Sequence, residues 1–202
     1  MTAGRRAKVI VISGPSGVGK STICRQVVRR MTDVQQSVSM TTRSPGPGEE
    51  NGRDYWFVSQ EEFRRRIKAG AMLEYAEVFG NLYGTPKDKV DEALAAGRSV
   101  ILAIDVQGGR QIKTIYPDAV MIFILPPDEK TLAERLGKRA RDNAETVEKR
   151  LNGARQEIAT AKQYYDRMVI NEDLGRAVDE VIRIIADARH APASSDANVG
   201  DR

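Results

Sequence analysis

A chain of 202 residues, 41% hydrophobic and 30% charged, suits one α/β domain with or without small inserts, and it can bury a sizeable core unaided. Its formal charge of +4 suits anionic ligands but selects no partner by itself. One cysteine, Cys24, excludes an internal disulfide; one histidine, His190, excludes a His/Cys zinc cluster; no run reaches the roughly 20 apolar residues of a membrane span. The basic start leads only to Val9–Ile12 before a glycine-rich turn, too short for a signal-peptide apolar region. A cytoplasmic chain with no membrane and no nucleic-acid partner is expected.

Val9 to Ile12 reads as a short buried strand running into Ser13-Gly14-Pro15-Ser16-Gly17, with a helix from Gly19-Lys20-Ser21 to about Met31. Cys24 lies among Ile23, Val27 and Val28 of that helix, where a free thiol is ordinarily a small buried hydrophobe. Ser37 to Thr42 is expected as a second strand, Ser44 to Gly48 breaks regular structure, and Tyr55 to Val58 is a strand. Ser59 caps a helix over Gln60 to Lys68, with Glu62 completing a capping box. Leu73 to Val78 and Gly80 to Gly84 predict strand and turn, followed by a helix with Pro86 at its first position that ends near Gly97.

Ser99 to Ile104 and Ala119 to Leu125 are nearly continuous apolar runs, as central parallel strands require. Pro126-Pro127-Asp128 opens a helix through Leu136. From Glu145 to Tyr165 the positions Val147, Leu151, Ala154, Ile158, Ala161 and Tyr165 form one buried stripe. Met168 to Ile170 is a last strand, Leu174 to Ala186 a last helix. Alternating strands and helices define an α/β fold with a parallel sheet flanked by helices.

Gly14-Pro15-Ser16-Gly17-Val18-Gly19-Lys20-Ser21 fits the P-loop pattern, with Thr22 next in line. Its glycines let several backbone N–H groups converge on the phosphates of ATP, and the following helix adds its positive end. Lys20 can reach the β- and γ-phosphates, and the Ser21 hydroxyl can join the shell of Mg²⁺, the expected cofactor. Asp105 closes a strand at the sheet edge where ligands bind in open α/β folds. It can steer Mg²⁺, directly or through water, or cap a helix ahead of Val106, or do both. Asp105-Val106-Gln107-Gly108 also fits the D-x-x-G of GTPases, but N-K-x-D is missing.

Arg43, Arg53, Tyr55 and Tyr83 can hold a phosphate dianion through charge-assisted hydrogen bonds, and Glu74 with Ser39 or Thr85 can read a base edge. The same residue types also occur on ordinary solvated surface. Order and spacing separate the two. Ser37 to Pro45, Gly48-Glu49, Gly52, Asp54-Tyr55 and Phe57-Val58 resemble the acceptor segment of guanylate kinases. Glu74 to Glu77, Tyr83-Gly84-Thr85, Ile104 to Gly108, Arg135 to Arg139, Arg150-Leu151 and Val169 to Asn171 continue the resemblance, which spans about residues 8 to 186.

The resemblance implies a P-loop core (8–37 and 91–186), a small inserted GMP-binding α+β domain (38–90) and a helical lid at about 137–150, between a flexible start (1–7) and a disordered tail (187–202). It implies that ATP and GMP are the substrates. Ser39, Glu74, Thr85 and Asp105 would contact guanine or its ribose, Arg43, Tyr55 and Tyr83 the GMP phosphate, and Asn171 would sit beside adenine. Two positions depart from the family: Gly46 stands where a second phosphate-binding arginine is usual, with Arg53 a possible substitute, and Ala103 where an acidic residue is usual.

Leu132, Arg135, Leu136 and Arg139 follow i, i+3, i+4, i+7, so both arginines share an apolar helix face, and Arg150 flanks the stripe of the next helix. Cations so placed need anionic partners, either the transferring phosphate or carboxylates of neighbouring helices. The chain is thus expected to be an ATP:GMP phosphotransferase of purine nucleotide metabolism, also accepting dGMP. The alternatives are a ribose bisphosphate kinase of the same superfamily and a phosphopeptide-binding scaffold module.

Overall fold

The computed structural model describes residues 6–78, 80–139 and 144–190, of which 138–139 and 144–146 only in the backbone. In chain order, β1 (Val9–Ser13), α1 (Lys20–Arg30) and β2 (Val34–Gln36) open the fold. Then come β3 (Met40–Thr41), β4 (Trp56–Phe57), α2 (Gln60–Lys68), β5 (Met72–Val78) and β6 (Asn81–Pro86). The rest comprises α3 (Lys87–Ala95), β7 (Ser99–Ala103), α4 (Val106–Ile115), β8 (Val120–Leu125), α5 (Glu129–Arg139), α6 (Ala144–Tyr164), β9 (Arg167–Ile170) and α7 (Leu174–His190).

Every residue of β1 is buried because the strand is central and covered on both faces. The order is β2-β7-β1-β8-β9, and all four pairings are parallel. Alternation along the strands sorts the core into two layers. Ile10, Ile12, Ile101, Ile122 and Ile124 meet α1 and α7, through Ile23, Val27, Val178 and Val181. Val9, Val11, Val100, Leu102 and Met121 meet Val90 of α3, Ile112 of α4 and Leu73 of β5 on the other side.

A second sheet, β4-β3-β6-β5, carries the acceptor-segment residues; β3 pairs with β4 in parallel and with β6 antiparallel. α5 and α6 pack on each other through Leu132, Leu136, Leu151 and Ala154. Since the five core strands are parallel, the segments that follow β1, β7, β8 and β9 all leave at one edge, which brings Gly14, Asp105 and Asn171 together.

Five expectations need correction. The turn expected over Gly80 to Gly84 is largely strand β6, paired antiparallel with β5 and β3. The strand expected over Ser37–Thr42 is only β3, Met40–Thr41 in the second sheet, and the strand beside β7 is β2, Val34–Gln36, which the sequence did not signal. Pro86 is the extended N-cap of α3 rather than its first helical residue. Ser59 accepts from the Glu62 amide at 3.1 Å, but the Glu62 carboxylate turns to Arg65 and Arg66, so only half the capping box forms. Residues 187–190 belong to α7 rather than a tail: Arg189 is buried and ion-paired with Asp33 at 2.6 Å, while 191–202 lie outside the described residues. The helix that Asp105 could cap is α4, Val106–Ile115, whose extent the sequence had not given.

Candidate functional site

The loop between β1 and α1 is shaped by its neighbours. Gly19 has φ 101°, and a Cβ there would stand 2.5 Å from the Asn171 amide nitrogen, so both conformation and space require glycine. That nitrogen donates to the Val18 carbonyl at 2.7 Å, and the Asn171 backbone amide donates to Leu125 at 2.8 Å. Asn171 thereby ties the loop to β8 and β9. Arg135 of α5 donates to the Asn171 carbonyl at 3.2 Å, and Leu136 lies beside Gly17. The Lys20 ammonium rests on the loop itself, donating to the carbonyls of Gly14 and, at 3.1 Å, Pro15. Pro15, Ser16, Val18 and Ser21 complete the loop, with Thr22 donating its amide to Gly19 at 3.1 Å as the helix starts.

Asp105 caps α4, accepting from the Gly108 amide at 2.9 Å through one oxygen. Beneath it, Ser13 donates to the Ile104 carbonyl at 2.7 Å and receives the Tyr165 hydroxyl at 2.6 Å. Half-buried Glu157 of α6 is held above the usual carboxylate range by burial, with the Lys20 charge opposing and the Asp105 charge adding. Sequence reading missed Glu157. Its signal was an acidic residue between Ala154 and Ala161, at i+3 and i−4, inside an otherwise apolar stripe.

On the second sheet, Glu74 of β5 is buried and accepts from the Thr85 hydroxyl of β6 at 2.6 Å. Burial pushes the Glu74 carboxyl up to about 7, against the Thr85 bond and assisted by the Asp105 charge. Gly108 permits this arrangement, since a Cβ there would lie 2.7 Å from the second Glu74 oxygen. Arg43, Tyr55 and Tyr83 cluster: the Tyr55 and Tyr83 rings meet edge-on at 6.0 Å, and the Arg43 guanidinium lies 5.5 Å from the Tyr55 centroid. Glu49 accepts from both Arg43 terminal nitrogens at 2.9 Å and from the Gly46 amide at 2.6 Å. The hydrogen bond to Glu49 raises the Arg43 pKa, and those from Arg43 and Gly46 lower that of Glu49. Arg53 lines the cavity between the two sheets but is engaged by carboxylates, Glu50 at 2.6 Å and Asp54 at 2.8 Å.

A cavity of about 730 Å³ joins the two halves; Ser21 lines one wall, Ser39 and Tyr55 another, and Ala103 adds no oxygen to it. Among the lid residues, Arg135 reaches the P-loop neighbourhood through Asn171, and Arg150 is half-buried beside Leu151. The Arg139 side chain and residues 140–143 lie outside the described residues. Cys24 is fully buried and its thiol is pushed up to about 12 by that burial, which fits a structural role.

A parallel α/β sheet with a glycine-rich loop at the carboxyl end of its central strand, facing an inserted sheet across a cavity, defines a P-loop nucleotide kinase. The family model described as guanylate kinase matches residues 6–188, and the chain belongs to the guanylate kinase family. It is 49% identical over 181 residues to the guanylate kinase of Rubrobacter xylanophilus, covering 90% of this chain and 94% of the relative. The guanylate kinase of Gloeobacter violaceus is 49% identical over 179 residues, covering 89% of this chain and 87% of the relative. The crystal structure of guanylate kinase from Anaplasma phagocytophilum superposes with a TM-score of 0.76 at 33% identity, covering 94% of this chain and 89% of that one.

Proposed function

We propose that the chain transfers the γ-phosphoryl group of ATP to GMP, and to dGMP, giving the diphosphate and ADP. The observation that carries this reading is a cavity lined both by Ser21 of the P-loop and by Ser39 and Tyr55 of the acceptor segment, with family membership behind it. Glu74 supplies the base selectivity. Guanine offers two donors on one edge, N1–H and the N2 amino group, where adenine offers an acceptor at N1. AMP would leave the Glu74 oxygen not held by Thr85 without a donor.

In this reading the backbone amides of Gly14 to Ser21, with Thr22, cradle the ATP phosphates, and Lys20 leaves the loop carbonyls for the β- and γ-phosphates. Asn171 flanks the adenine. Arg43, Tyr55 and Tyr83 hold the GMP phosphate, whose oxygen attacks the γ-phosphorus as the bond to the β-bridging oxygen breaks. Arg135, Arg139 and Arg150 neutralise the transferring group when the lid closes and water is excluded. No covalent enzyme intermediate is formed.

The oxygen donors near the P-loop suit a hard cation: the Ser21 hydroxyl and the Asp105 oxygen not used by Gly108 would hold Mg²⁺, directly or through water. Once bound, the ion would offset charge on the β- and γ-phosphates.

The test is ADP formation from ATP and Mg²⁺ with GMP, dGMP, AMP, CMP and UMP offered separately. Turnover with GMP alone among the ribonucleotides, abolished in Lys20→Ala, is the expected result. Folded protein that binds ATP but turns over none of them would overturn the reading.

A further inference from the structure

The acceptor site as described has too little positive charge for its ligand. A nucleoside monophosphate brings close to two negative charges, whereas Arg43 already shares both terminal nitrogens with Glu49. The second arginine nearby, Arg53, is held by Glu50, Asp54 and the Gly48 carbonyl. Position 46 is glycine and adds no cation.

A third arginine lines the same cavity from the opposite wall. Arg25 lies on α1 four residues after Ser21, hence on the same helix face, and both line the space bounded by Ser39, Glu49 and Tyr55. Arg25 enters none of the salt bridges found among the described residues. Its charge is nevertheless felt across the cavity, because it is one of the groups that lower the Asp54 carboxyl, behind the Glu50 amide and Arg53. Beside it, the Ser37 hydroxyl also lines the cavity and is buried without a hydrogen-bond partner. The cavity is therefore lined by an exposed guanidinium and an unmatched hydroxyl, and also by Glu49 and Tyr55, the two residues against which Arg43 rests.

We propose that Arg25 is a second binding residue for the phosphate of the nucleoside monophosphate, closing on it from the P-loop side while Arg43 holds it from the other. This rests on the GMP reading above and deepens it. Since Arg25 shares its helix with Ser21, the acceptor phosphate is drawn toward the donor's γ-phosphate rather than merely retained, so both binding and alignment depend on it.

The experiment compares the unaltered chain with Arg25→Ala, Arg25→Gln and Arg25→Lys. GMP is varied at saturating ATP, ATP is varied at saturating GMP, and equilibrium binding of GMP and guanosine is measured. Loss of a charge-assisted hydrogen bond should raise KM for GMP roughly 10- to 100-fold in Ala and Gln, with partial recovery in Lys. KM for ATP and guanosine affinity should stay within about twofold, since neither contact involves the acceptor phosphate. Arg25 is exposed, so the variants should keep the parent melting temperature. An unchanged KM for GMP, a shift in KM for ATP instead, or equal loss of guanosine and GMP affinity would overturn the assignment while the unaltered chain still phosphorylates GMP. No GMP turnover by the unaltered chain sinks both readings.

Discussion

Glu49 grips Arg43 by both terminal nitrogens at 2.9 Å and closes the loop between them by accepting from the Gly46 amide at 2.6 Å. The carboxylate thus fixes the plane of the fork that is proposed to meet the GMP phosphate. Arg43→Ala should raise KM for GMP roughly 100-fold, and Arg43→Lys nearly as much, because a point charge does not replace a bidentate fork. Glu49→Gln should raise it only about 3- to 10-fold, through lost orientation, with KM for ATP unmoved. Steady-state kinetics with each substrate varied measures both.

Glu74 sets a pH dependence whose sign follows from burial. Its folded pKa, about 7, lies above the ordinary 4.5, so the folded chain holds a proton there that the unfolded chain releases between those values. Stability contributed at this position is therefore full below pH 4.5 and declines as pH rises through 7, by up to roughly 3 kcal/mol. Glu74→Gln should gain melting temperature relative to the parent across that window. Thermal denaturation at pH 5 and pH 8 gives the comparison.

Ligand binding should act on the same proton. Guanine donors favour the carboxylate, so guanosine binding at pH 7 should release roughly half a proton. Calorimetry in buffers of different ionisation enthalpy counts it, and guanosine keeps the ligand's own phosphate out of the balance. Release that persists in Glu74→Gln would contradict the assignment.

Tyr165→Phe isolates a structural tether. The hydroxyl donates to Ser13 across 152 residues of sequence and joins α6 to the strand that carries the P-loop. Its removal should cost about 1 kcal/mol by denaturant unfolding, since Ser13 keeps its bond to the Ile104 carbonyl.

Much of this was legible because residue type dictated local geometry. A strand, glycines, Lys20 and a helix permit few arrangements other than a phosphate loop, and Asp105 at a strand end serves as a helix cap whatever else it does. What escaped depended on tertiary pairing. Val34–Gln36 carries only one buried residue and becomes a strand through its partner β7, so β2 gave no signal in the sequence. Glu62 had two arginines in reach on its own helix, and these took the carboxylate from the N-cap. Glu157 and Arg25 are ordinary helix-surface types until α6 and α1 are placed around the cleft. Gly46 was legible as a missing cation, but not that Glu49 would lean on its amide.

Asp33 to Arg189 is a pair with one side chain almost wholly buried and the other one-third exposed, and the Arg6 amide reaches the Arg189 carbonyl at 3.4 Å. All three residues lie at the edge where the core strands begin, opposite the nucleotide loops. Asp33→Asn should therefore cost about 2–3 kcal/mol of stability in denaturant and leave kcat untouched. The first and last described segments are already neighbours there. A short peptide joining 6 to 189 would close the backbone into a ring at little entropic cost, and new termini cut elsewhere would give a rearranged chain with the same catalytic edge.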